Sequence, residues 1–379
     1  MSVNYNILPS PCYVIDEERF RKNLNLIKNV ADESDSEIIL AFKGFAMWGV
    51  FDILKEYISG AAASSVHEAR LCFEEIGSPA HTYSPVFKEN EFRSILEYSS
   101  HITFNSLRQY NNYSDIIKKY NRKISPGLRI NPGFSDVSHG IYNPCSPGSR
   151  LGVTADELKV GLPEGIEGLH FHALFESDSF ALEKVLKIVE ADFGRYFRSV
   201  KWINMGGGHL ITRKDYNTGH LISMLKDFKK RTGLHIILEP GSAFAWETGE
   251  LIATVEDVVE NHGIKTAILD VSFTAHMPDC LEMPYKPKIY HATDPVAGKP
   301  VYRLGGNSCL SGDFIGDWSF DRELKSGDRI IFQDMIHYTM VKTTTFNGVH
   351  HPSIGIWTKE GKFRLIREFD YNDYKCRLS

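Results

Sequence analysis

Apolar and polar positions along the chain repeat with two alternating spacings, and this alternation predicts a strand–helix order. After Asp16, the sequence "EERFRKNLNLIKNV" places Phe20, Leu24 and Ile27 on one helical face. The apolar run "EIILAF" at residues 37–42 then predicts a buried strand. Further strands are predicted between helical segments, at residues 81–85, 101–104, 127–132, 168–174, 201–207 and 235–241.

This repeated order predicts a parallel sheet, and the number of strands favours a closed (β/α)8 TIM-like barrel over an open sheet. From about residue 250 the pattern changes to strands separated by Gly, Pro, Asn and Asp, which predicts a C-terminal antiparallel β domain. We therefore expect a barrel over residues 16–262 and a β domain formed by residues 1–15 and 263–379. In such a barrel, side chains at the C-terminal ends of the strands meet at one rim.

Composition narrows the class of protein. The 379 residues are 42% hydrophobic and 24% charged, and the net charge of -5 without long basic runs argues against a nucleic-acid surface. The sequence has no signal-peptide pattern and no apolar run long enough to cross a membrane, so we expect a cytoplasmic protein. Six cysteines without CxxC pairs predict reduced thiols.

One lysine, Lys43, lies at the end of the apolar segment "LAFKGF". A lysine in this position can lay its stem on the core and extend its ammonium into water. Alternatively it is a Schiff-base lysine, because a desolvated amine loses its proton readily and attacks a carbonyl or an aldehyde cofactor. The residue alone leaves both interpretations open.

Three other segments place candidate chemistry after predicted barrel strands. Glycines 206–208 in "NMGGGHL" can turn their N–H groups toward an anion such as a phosphate, or can form a tight turn. Glu239 in "LEPG" would lie at the rim, either as an active-site carboxylate or as a solvated one. His172 in "HFHAL" is a similar candidate, although a hydrogen-bonded core histidine is commoner.

The predicted β domain contributes Cys309 and Asp313 in "GGNSCLSGDF" and Tyr338 in "DMIHYTMVKTTTFNG". A cysteine thiol is mostly protonated at neutral pH, so Cys309 is a candidate proton donor or nucleophile, or an inert packing residue. Core packing is the ordinary interpretation of Tyr338. The "HFH" histidines lack partners at metal-ligand spacing, so we expect no metal site.

The order of these segments resembles the fold-type III pyridoxal-phosphate (PLP) decarboxylases, which include ornithine, diaminopimelate and carboxynorspermidine decarboxylases. The chain carries, in this order, a strand-end lysine, a strand-end histidine, GGG, EPG, CxSGD and a tyrosine followed by FNG. The resemblance covers nearly the whole chain. It implies the fold shared by alanine racemase and ornithine decarboxylase, pyridoxal 5'-phosphate as cofactor, and decarboxylase activity.

Residue by residue, the resemblance implies a PLP site at the barrel rim. Lys43 would form the Schiff base with the cofactor, His172 would stack on its ring, and Glu239 would pair with the pyridine nitrogen. Arg129 in "LRINP" and Glu68 in "SSVHEA" would support the site. The phosphate would be held by Gly206, Gly207, Gly208, Gly241, Ser242 and the hydroxyl of Tyr338.

Glu239 also bears on the type of reaction. A carboxylate keeps the pyridine nitrogen protonated and makes the ring a strong electron sink, whereas the racemases of this fold place an arginine there. The resemblance therefore favours decarboxylation. Cys309 and Asp313 match residues that reach into the neighbouring subunit's site, which implies a homodimer; Cys309 would return a proton to Cα, and Asp313 would contact the substrate amine.

Two departures from the family narrow the substrate. Ornithine and diaminopimelate decarboxylases carry an acid after the cysteine and an arginine after EPG, where this chain has Leu310 and Ser242. Both departures, together with the segments "FHALFES" and "HMPDCLEMPYKP", make the chain resemble the carboxynorspermidine/carboxyspermidine decarboxylases. Those enzymes form norspermidine or spermidine. Such a cationic substrate needs carboxylates, and the candidates are Asp279 and Glu282, with Glu176 and Asp317 held more loosely.

Two other functions stay open at this point. One is a diaminopimelate or other basic amino-acid decarboxylase with an atypical pocket. The other is a non-catalytic PLP-binding regulatory protein, which has no chemical need for Lys43, Glu239, Cys309 and Asp313 together. Carboxynorspermidine and carboxyspermidine differ by one methylene, which a pocket distinguishes by only about 1 to 3 kcal/mol, so the sequence assigns no preference between them.

Overall fold

The computed structural model describes residues 3–137 and 140–379, and the chain forms two compact units. The sheet unit contains the residues up to Lys22 together with Ala245–Ser379, and the barrel unit contains Asn23–Phe244. Strand β1 (Cys12–Asp16) opens the sheet unit, and helix α1 (Glu17–Ser34) crosses the division. Both divisions lie inside the range of residues 16–262 predicted for the barrel.

Parallel strands form the sheet of the barrel unit, and this sheet closes on itself. Strands β2 (Glu37–Ile38) and β3 (Leu40–Ala41) are one extended segment interrupted at Ile39. The first part pairs with the last strand of the sheet and the second part pairs with the next strand along the chain, so eight strands close the barrel. The predicted (β/α)8 barrel is confirmed. The other strands are β4 (Ala61–Ala63), β5 (Ala80–Tyr83), β6 (Ser99–Phe104), β7 (Ser125–Arg129), β8 (Gly168–His170), β9 (Trp202–Asn204) and β10 (His235–Leu238).

Helices follow most of these strands, and polar side chains fix where they begin. Ser65, Ser106, Asp178 and Asn217 each accept a hydrogen bond from an N–H in the first turn of the helix that follows. In the described ranges, no helix is long and apolar enough to cross a membrane. The helices are α2 (Phe51–Leu54), α3 (Val66–Leu71), α4 (Glu89–Tyr98), α5 (Leu107–Lys118), α6 (Ser179–Phe193), α7 (Thr218–Thr232) and α8 (Ser242–Ala245), the last of which ends at the boundary of the sheet unit.

The predicted β domain is present, and its sheet is mixed rather than purely antiparallel. Most neighbours are antiparallel, but β1 pairs in parallel with β17 (Ser353–Trp357), and β12 (Ile264–Leu269) pairs in parallel with β14 (Val301–Gly305). The first of these pairs joins strands from opposite ends of the chain, so no hairpin turn sets its direction. The remaining strands are β11 (Gly249–Asn261), β13 (Ala292–Thr293), β15 (Phe314–Phe320), β16 (Arg329–Gln333) and β18 (Phe363–Arg367).

Four short helices complete the sheet unit, and its core lies against the central strands. Buried Cys12 and Val14 of β1 pack with Ile252 of β11, Ile331 of β16 and Trp357 of β17. Because β1 lies between β11 and β17 in the sheet, its burial ties the N-terminal segment to the C-terminal part of the chain. The helices are α9 (Phe273–His276), α10 (Pro278–Glu282), α11 (Tyr338–Val341) and α12 (Tyr371–Lys375).

Candidate active site at the barrel rim

The candidate residues of the barrel unit follow the C-terminal ends of its strands. Because all the strands are parallel, these ends lie at one rim, where the active sites of this fold occur. The structure thus brings together residues that are up to about two hundred positions apart in the sequence. Lys43 follows β3, Glu68 lies on α3 after β4, Arg129 ends β7, His172 follows β8, glycines 206–208 follow β9, and Glu239 follows β10.

Lys43 directs its ammonium toward His172, with 3.0 Å between Lys43 Nζ and His172 Nε2. The side chain remains accessible to solvent at the rim, but protein atoms crowd around it. This desolvation, followed by the positive charge of Arg129, lowers the pKa of Lys43 to about 8, and the carboxylates of Glu239 and Glu68 partly oppose the shift. Lys43 therefore has a larger neutral fraction near pH 7 than an ordinary lysine, which suits it to attack a carbonyl.

His172 is held from both ring nitrogens. Burial, and after it the charges of Lys43 and Arg129, lowers the pKa of His172 well below its usual value, so the ring is neutral. His172 Nδ1 lies 3.1 Å from both the carbonyl oxygen and the amide nitrogen of Gly207. When protonated Lys43 donates to Nε2, Nδ1 carries the ring proton and donates to the carbonyl oxygen; in the other tautomer Nδ1 accepts from the Gly207 N–H. The ring plane is thereby fixed at the rim.

Glu239 is mostly buried, with 14% of its side chain exposed. Its Oε1 accepts a hydrogen bond from Asn204 Nδ2 at 2.6 Å. Burial raises the pKa of Glu239, while the Asn204 hydrogen bond and the charges of Lys43 and Arg129 oppose the rise. Asn204 was not identified from the sequence; the available signal was an asparagine two residues before a glycine that needs a turn.

Arg129 is buried beneath the rim and contacts residues of two neighbouring segments. Its side chain is buried, donates to the His172 carbonyl oxygen at 3.3 Å, and lies over the Tyr83 ring at 4.7 Å. His170 is also buried beside Glu239, with 3.9 Å between His170 Nε2 and Glu239 Oε2. Among the residues that the structure describes, neither ring nitrogen of His170 has a hydrogen-bond partner, and burial lowers its pKa well below the usual value.

Glycines 206–208 are needed for the packing of the backbone itself, whether or not an anion binds to their N–H groups. Gly206 and Gly208 have φ of +69° and +87°. A Cβ on Gly207 would lie 2.4 Å from the Glu239 carbonyl oxygen, so no side chain fits there. The Gly206 N–H already donates to Asn204 Oδ1 at 2.8 Å. The Gly207 N–H lies 3.1 Å from His172 Nδ1. An oxyanion at this turn would therefore bind the Gly208 amide, and the Gly207 amide only in the tautomer in which Nδ1 does not accept from it.

Gly44 and Gly241 bring the lysine segment against the turn that follows Glu239. A Cβ on Gly44 would lie 2.8 Å from the Cα of Gly241, closer than real Cβ contacts. The Ala41 N–H also donates to the Pro240 carbonyl oxygen at 3.0 Å. Ser242 begins α8 directly after this contact. The two glycines thus set the spacing between the backbones that carry Lys43 and Glu239.

The Cys309 loop belongs to the sheet unit and is held from two sides. Asp313 is 4% exposed, and its carboxylate accepts from the N–H groups of Phe273 and Thr274 and from the N–H and hydroxyl of Ser308. The Cys309 N–H donates to Asn347 Oδ1 at 3.0 Å, and the Cys309 side chain is exposed. These bonds give Asp313 a structural role; its contact with the substrate amine stays a prediction.

Most of the remaining predicted residues also lie in the sheet unit. Asp279 is 7% exposed and accepts at Oδ2 from Tyr285 and Thr339, both at 2.8 Å, while Glu282 forms an ion pair with Lys342. Tyr338 begins α11 and is half-buried. Of the more loosely held acids, Asp317 pairs with Arg303, and Glu176 lies in the barrel unit with φ of +45°.

Comparison with known proteins assigns the class. Residues 12–336 match the family described as pyridoxal-dependent decarboxylase, C-terminal sheet domain. Over 98% of this chain, carboxyaminopropylagmatine decarboxylase of Synechocystis is 51% identical, covering 96% of that protein, and carboxynorspermidine/carboxyspermidine decarboxylase of Campylobacter jejuni is 42% identical, covering 99%. The solved structure of carboxynorspermidine decarboxylase from Campylobacter jejuni, complexed with norspermidine, superposes with a TM-score of 0.90 at 41% identity, covering 98% of this chain and all of the other. The chain belongs to the PLP-dependent decarboxylases of fold type III.

The chemistry of the rim fits this cofactor. An amine with a lowered pKa suits an aldehyde, a buried carboxylate suits a protonated pyridine nitrogen, and a fixed imidazole suits the face of an aromatic ring. The backbone amides of Gly207 and Gly208 suit a phosphate. The described residues contain no cluster of three or more His, Cys, Asp or Glu side chains that could hold a metal ion.

Proposed function

We propose that this enzyme decarboxylates a carboxylated polyamine, converting carboxynorspermidine or carboxyspermidine to norspermidine or spermidine. The observation that carries the reaction type is the juxtaposition, at one rim, of a lysine whose pKa is lowered to about 8 with a buried, hydrogen-bonded glutamate. The substrate class is supported by the activities named for the relatives from Campylobacter jejuni and, at 33% identity, from Herminiimonas arsenicoxydans.

Within this proposal, the barrel residues bind and orient. When bound, PLP supplies the electron sink that accepts the electron pair left at Cα as CO₂ departs. With PLP bound, Lys43 would hold it covalently between turnovers and would yield it to the substrate amine. Glu239 would accept a hydrogen bond from the pyridine N–H and keep that proton on the nitrogen. His172 would stack on the ring, and Arg129 and Glu68 would support Lys43 and His172.

The phosphate is assigned to the rim turns. Gly208 offers its N–H group, and Gly207 offers its own when His172 Nδ1 carries the ring proton. Gly206 is already bound by Asn204 and contributes mainly its turn conformation. Gly241 and Ser242 form the second turn, and the resemblance to the family adds the hydroxyl of Tyr338, a residue of the sheet unit. The absence of an arginine after EPG leaves backbone amides and hydroxyls as the principal donors here.

The sheet unit supplies the proton and the substrate contacts. Cys309, exposed on a loop fixed by Asp313 and Asn347, gives its Sγ proton to Cα after CO₂ has left. Following the family pattern, Cys309 and Asp313 act in the partner subunit's site, so the active form is a homodimer. We place this enzyme in the cytoplasm, where reduced thiols and PLP coexist.

The two carboxylates proposed to bind the polyamine differ in whether they already have partners within the protein. Asp279 Oδ1 is buried and contacts no donor within residues 3–137 and 140–379, which supports Asp279 as an acceptor for a substrate ammonium. Glu282 is already paired with Lys342. We therefore expect Asp279→Asn to raise KM for a polyamine substrate with little change in cofactor binding, and Glu282→Gln to have the smaller effect.

A second candidate substrate is carboxyaminopropylagmatine, because the Synechocystis relative is 51% identical. This substrate class ends in a guanidinium where the carboxypolyamines end in an ammonium. A guanidinium can form two parallel hydrogen bonds with one carboxylate, whereas an ammonium binds as a compact point charge.

The proposed function is tested by incubating the PLP-loaded protein separately with carboxynorspermidine, carboxyspermidine, carboxyaminopropylagmatine, meso-diaminopimelate and ornithine. Mass spectrometry identifies the products. Highest kcat/KM with the carboxypolyamines supports the proposal. Preference for carboxyaminopropylagmatine selects the second candidate, and turnover of diaminopimelate or ornithine alone contradicts both.

A further inference from the structure

Asn204, at the end of β9, bridges two parts of the barrel rim. Its side chain is 2% exposed. Nδ2 donates to Glu239 Oε1 at 2.6 Å, and Oδ1 accepts from the Gly206 N–H at 2.8 Å. Since one partner accepts and the other donates, only one orientation of the amide satisfies both. The side chain is therefore locked between the glycine turn and the carboxylate.

We propose that Asn204 is a positioning residue that keeps Glu239 ionised and aimed at the pyridine nitrogen of the cofactor. This inference rests on the proposed function, because it concerns the carboxylate that the proposal pairs with that nitrogen. A hydrogen bond to the charged form of a carboxylate favours that form, and a short one to a buried carboxylate has a large effect.

No other described contact can take over this role. Among residues 3–137 and 140–379, Asn204 is the one hydrogen-bond donor to the Glu239 side chain. His170 lies 3.9 Å away, beyond hydrogen-bond distance, and its ring is neutral. Lys43 and Arg129 act on Glu239 through charge alone. Burial of Glu239 opposes ionisation, and the Asn204 bond is the largest of the effects that favour it, ahead of the charges of Lys43 and Arg129.

The strand arrangement explains why Asn204 can fix the direction of a flexible side chain. Strand β9 lies between β8 and β10, with Asn204 opposite His170 on one side and Ile237 on the other. Its backbone is held by both neighbours, and its side chain is held by the Gly206 turn. Glu239 has three rotatable side-chain bonds, and one short bond to an immobile donor restricts its carboxylate to one place.

The test separates the two hydrogen bonds of Asn204. In Asn204→Ser, the hydroxyl can still accept from the N–H two residues further on but is too short to reach Glu239. We expect the acid limb of kcat/KM, and the acid-side change in the visible absorption of the bound cofactor, to move up by about 1 to 2 pH units. We expect the cofactor dissociation constant to rise about tenfold. Asn204→Thr serves the same purpose if the serine variant does not fold.

A double-mutant cycle with Glu239→Gln distinguishes positioning from a general structural role. Glutamine does not titrate, so removing the Asn204 donor in that background should change the absorption pH profile little and the dissociation constant less than about twofold. An equal effect of Asn204→Ser in both backgrounds would overturn the inference. So would an unchanged acid limb in a folded single variant, judged by circular dichroism and the thermal midpoint.

Asn131 offers a matched control. It lies just after β7, and its Oδ1 accepts from the Gly133 N–H at 2.9 Å, as Asn204 accepts from Gly206. Its Nδ2 contacts the carbonyl oxygens of Leu151 and Pro144 rather than a carboxylate. Asn131→Ser should leave the absorption pH profile unshifted, and an equal shift would contradict the inference. The spectra need no substrate, so failure of the proposed substrate would leave this test intact.

Discussion

At the scale of the residue, Lys43 shows how its surroundings change the chemistry of an amine. Its pKa of about 8 results from desolvation and the nearby Arg129 charge. A lysine attacks an aldehyde only as the neutral amine, so covalent attachment of PLP to the apoenzyme should accelerate as pH rises toward 8 and level off above it. An ordinary lysine would continue to gain until about pH 10. Stopped-flow absorbance between pH 6.5 and 9.5 measures this profile.

Replacing Lys43 should remove the covalent bond and the turnover together. We expect Lys43→Ala to lose the visible band of the lysine-bound cofactor and to decarboxylate at less than about a thousandth of the wild-type rate. Lys55, which pairs with Asp52 on the surface, provides the control, and Lys55→Ala should retain both signals. A Lys43→Ala protein with substantial turnover would refute the assignment.

Cys309 should affect the proton returned to the product more than cofactor binding. We expect Cys309→Ala to slow product formation and to yield misdirected products, because no thiol proton then reaches Cα, while the cofactor band is retained. Product analysis in D₂O by mass spectrometry checks this. Cys376 is the other exposed thiol among the described residues, and Cys376→Ala should behave as the wild type. Unchanged product and rate in Cys309→Ala would remove its role.

At the scale of the element, the spacing between two loops is set by glycines. Gly44→Ala would force a Cβ to within 2.8 Å of the Gly241 Cα, moving the lysine segment away from the turn after Glu239. We expect a loss of about 1 to 3 kcal/mol in the free energy of unfolding and about a tenfold weaker cofactor affinity. Gly60→Ala is the control, since its Cβ would meet Ile39 at 3.6 Å, an ordinary contact. Equal affinity in the two variants would contradict this account.

The conformation of the Cys309 loop depends on the hydrogen bonds that the Asp313 carboxylate accepts. Removing its carboxylate leaves the N–H groups of Phe273, Thr274 and Ser308 without their acceptor. We expect Asp313→Ala to reduce the free energy of unfolding by about 2 to 4 kcal/mol, measured by urea denaturation. Asp321, which is 72% exposed and pairs with Lys299, is the matched control, and its replacement should leave the free energy of unfolding almost unchanged. A similar loss in both variants would argue against this role.

The sequence could predict those features that depend on neighbouring residues, and not those that depend on residues far away in the chain. The strand-end positions of Lys43, His172 and Glu239 come from short apolar segments that precede them, and these predictions depend on neighbours in sequence. The local signal at Asn204, an asparagine two residues before a turn glycine, indicates only the turn; its role toward Glu239 depends on a residue thirty-five positions away. The parallel pairing of β1 with β17 depends on the fold of the whole sheet unit, which explains why an antiparallel domain was predicted.

At the scale of the whole molecule, both units contain buried neutral histidines. Burial lowers the pKa of His81 to about 3 and of His209 to about 4 in the barrel unit, and of His276 to about 3 in the sheet unit. In the unfolded chain each would titrate near pH 6.5, so below that pH the unfolded state binds more protons than the folded one. Each histidine thus contributes stability that is present above pH 6.5 and lost as pH falls toward its folded pKa. At pH 5, His81 alone should cost about 2 kcal/mol relative to pH 8.

The pH dependence of the free energy of unfolding can be assigned to a single histidine by replacing that histidine and comparing how steeply the free energy changes with pH. In His81→Gln, the glutamine does not titrate, so the free energy of unfolding should fall by about 2 kcal/mol less between pH 8 and pH 5 than in the wild type, whatever the absolute stability of the variant. Urea denaturation at several pH values measures both slopes. An unchanged slope in His81→Gln would mean that His81 does not stay neutral in the folded protein, despite its burial against the His101 ring at 3.9 Å.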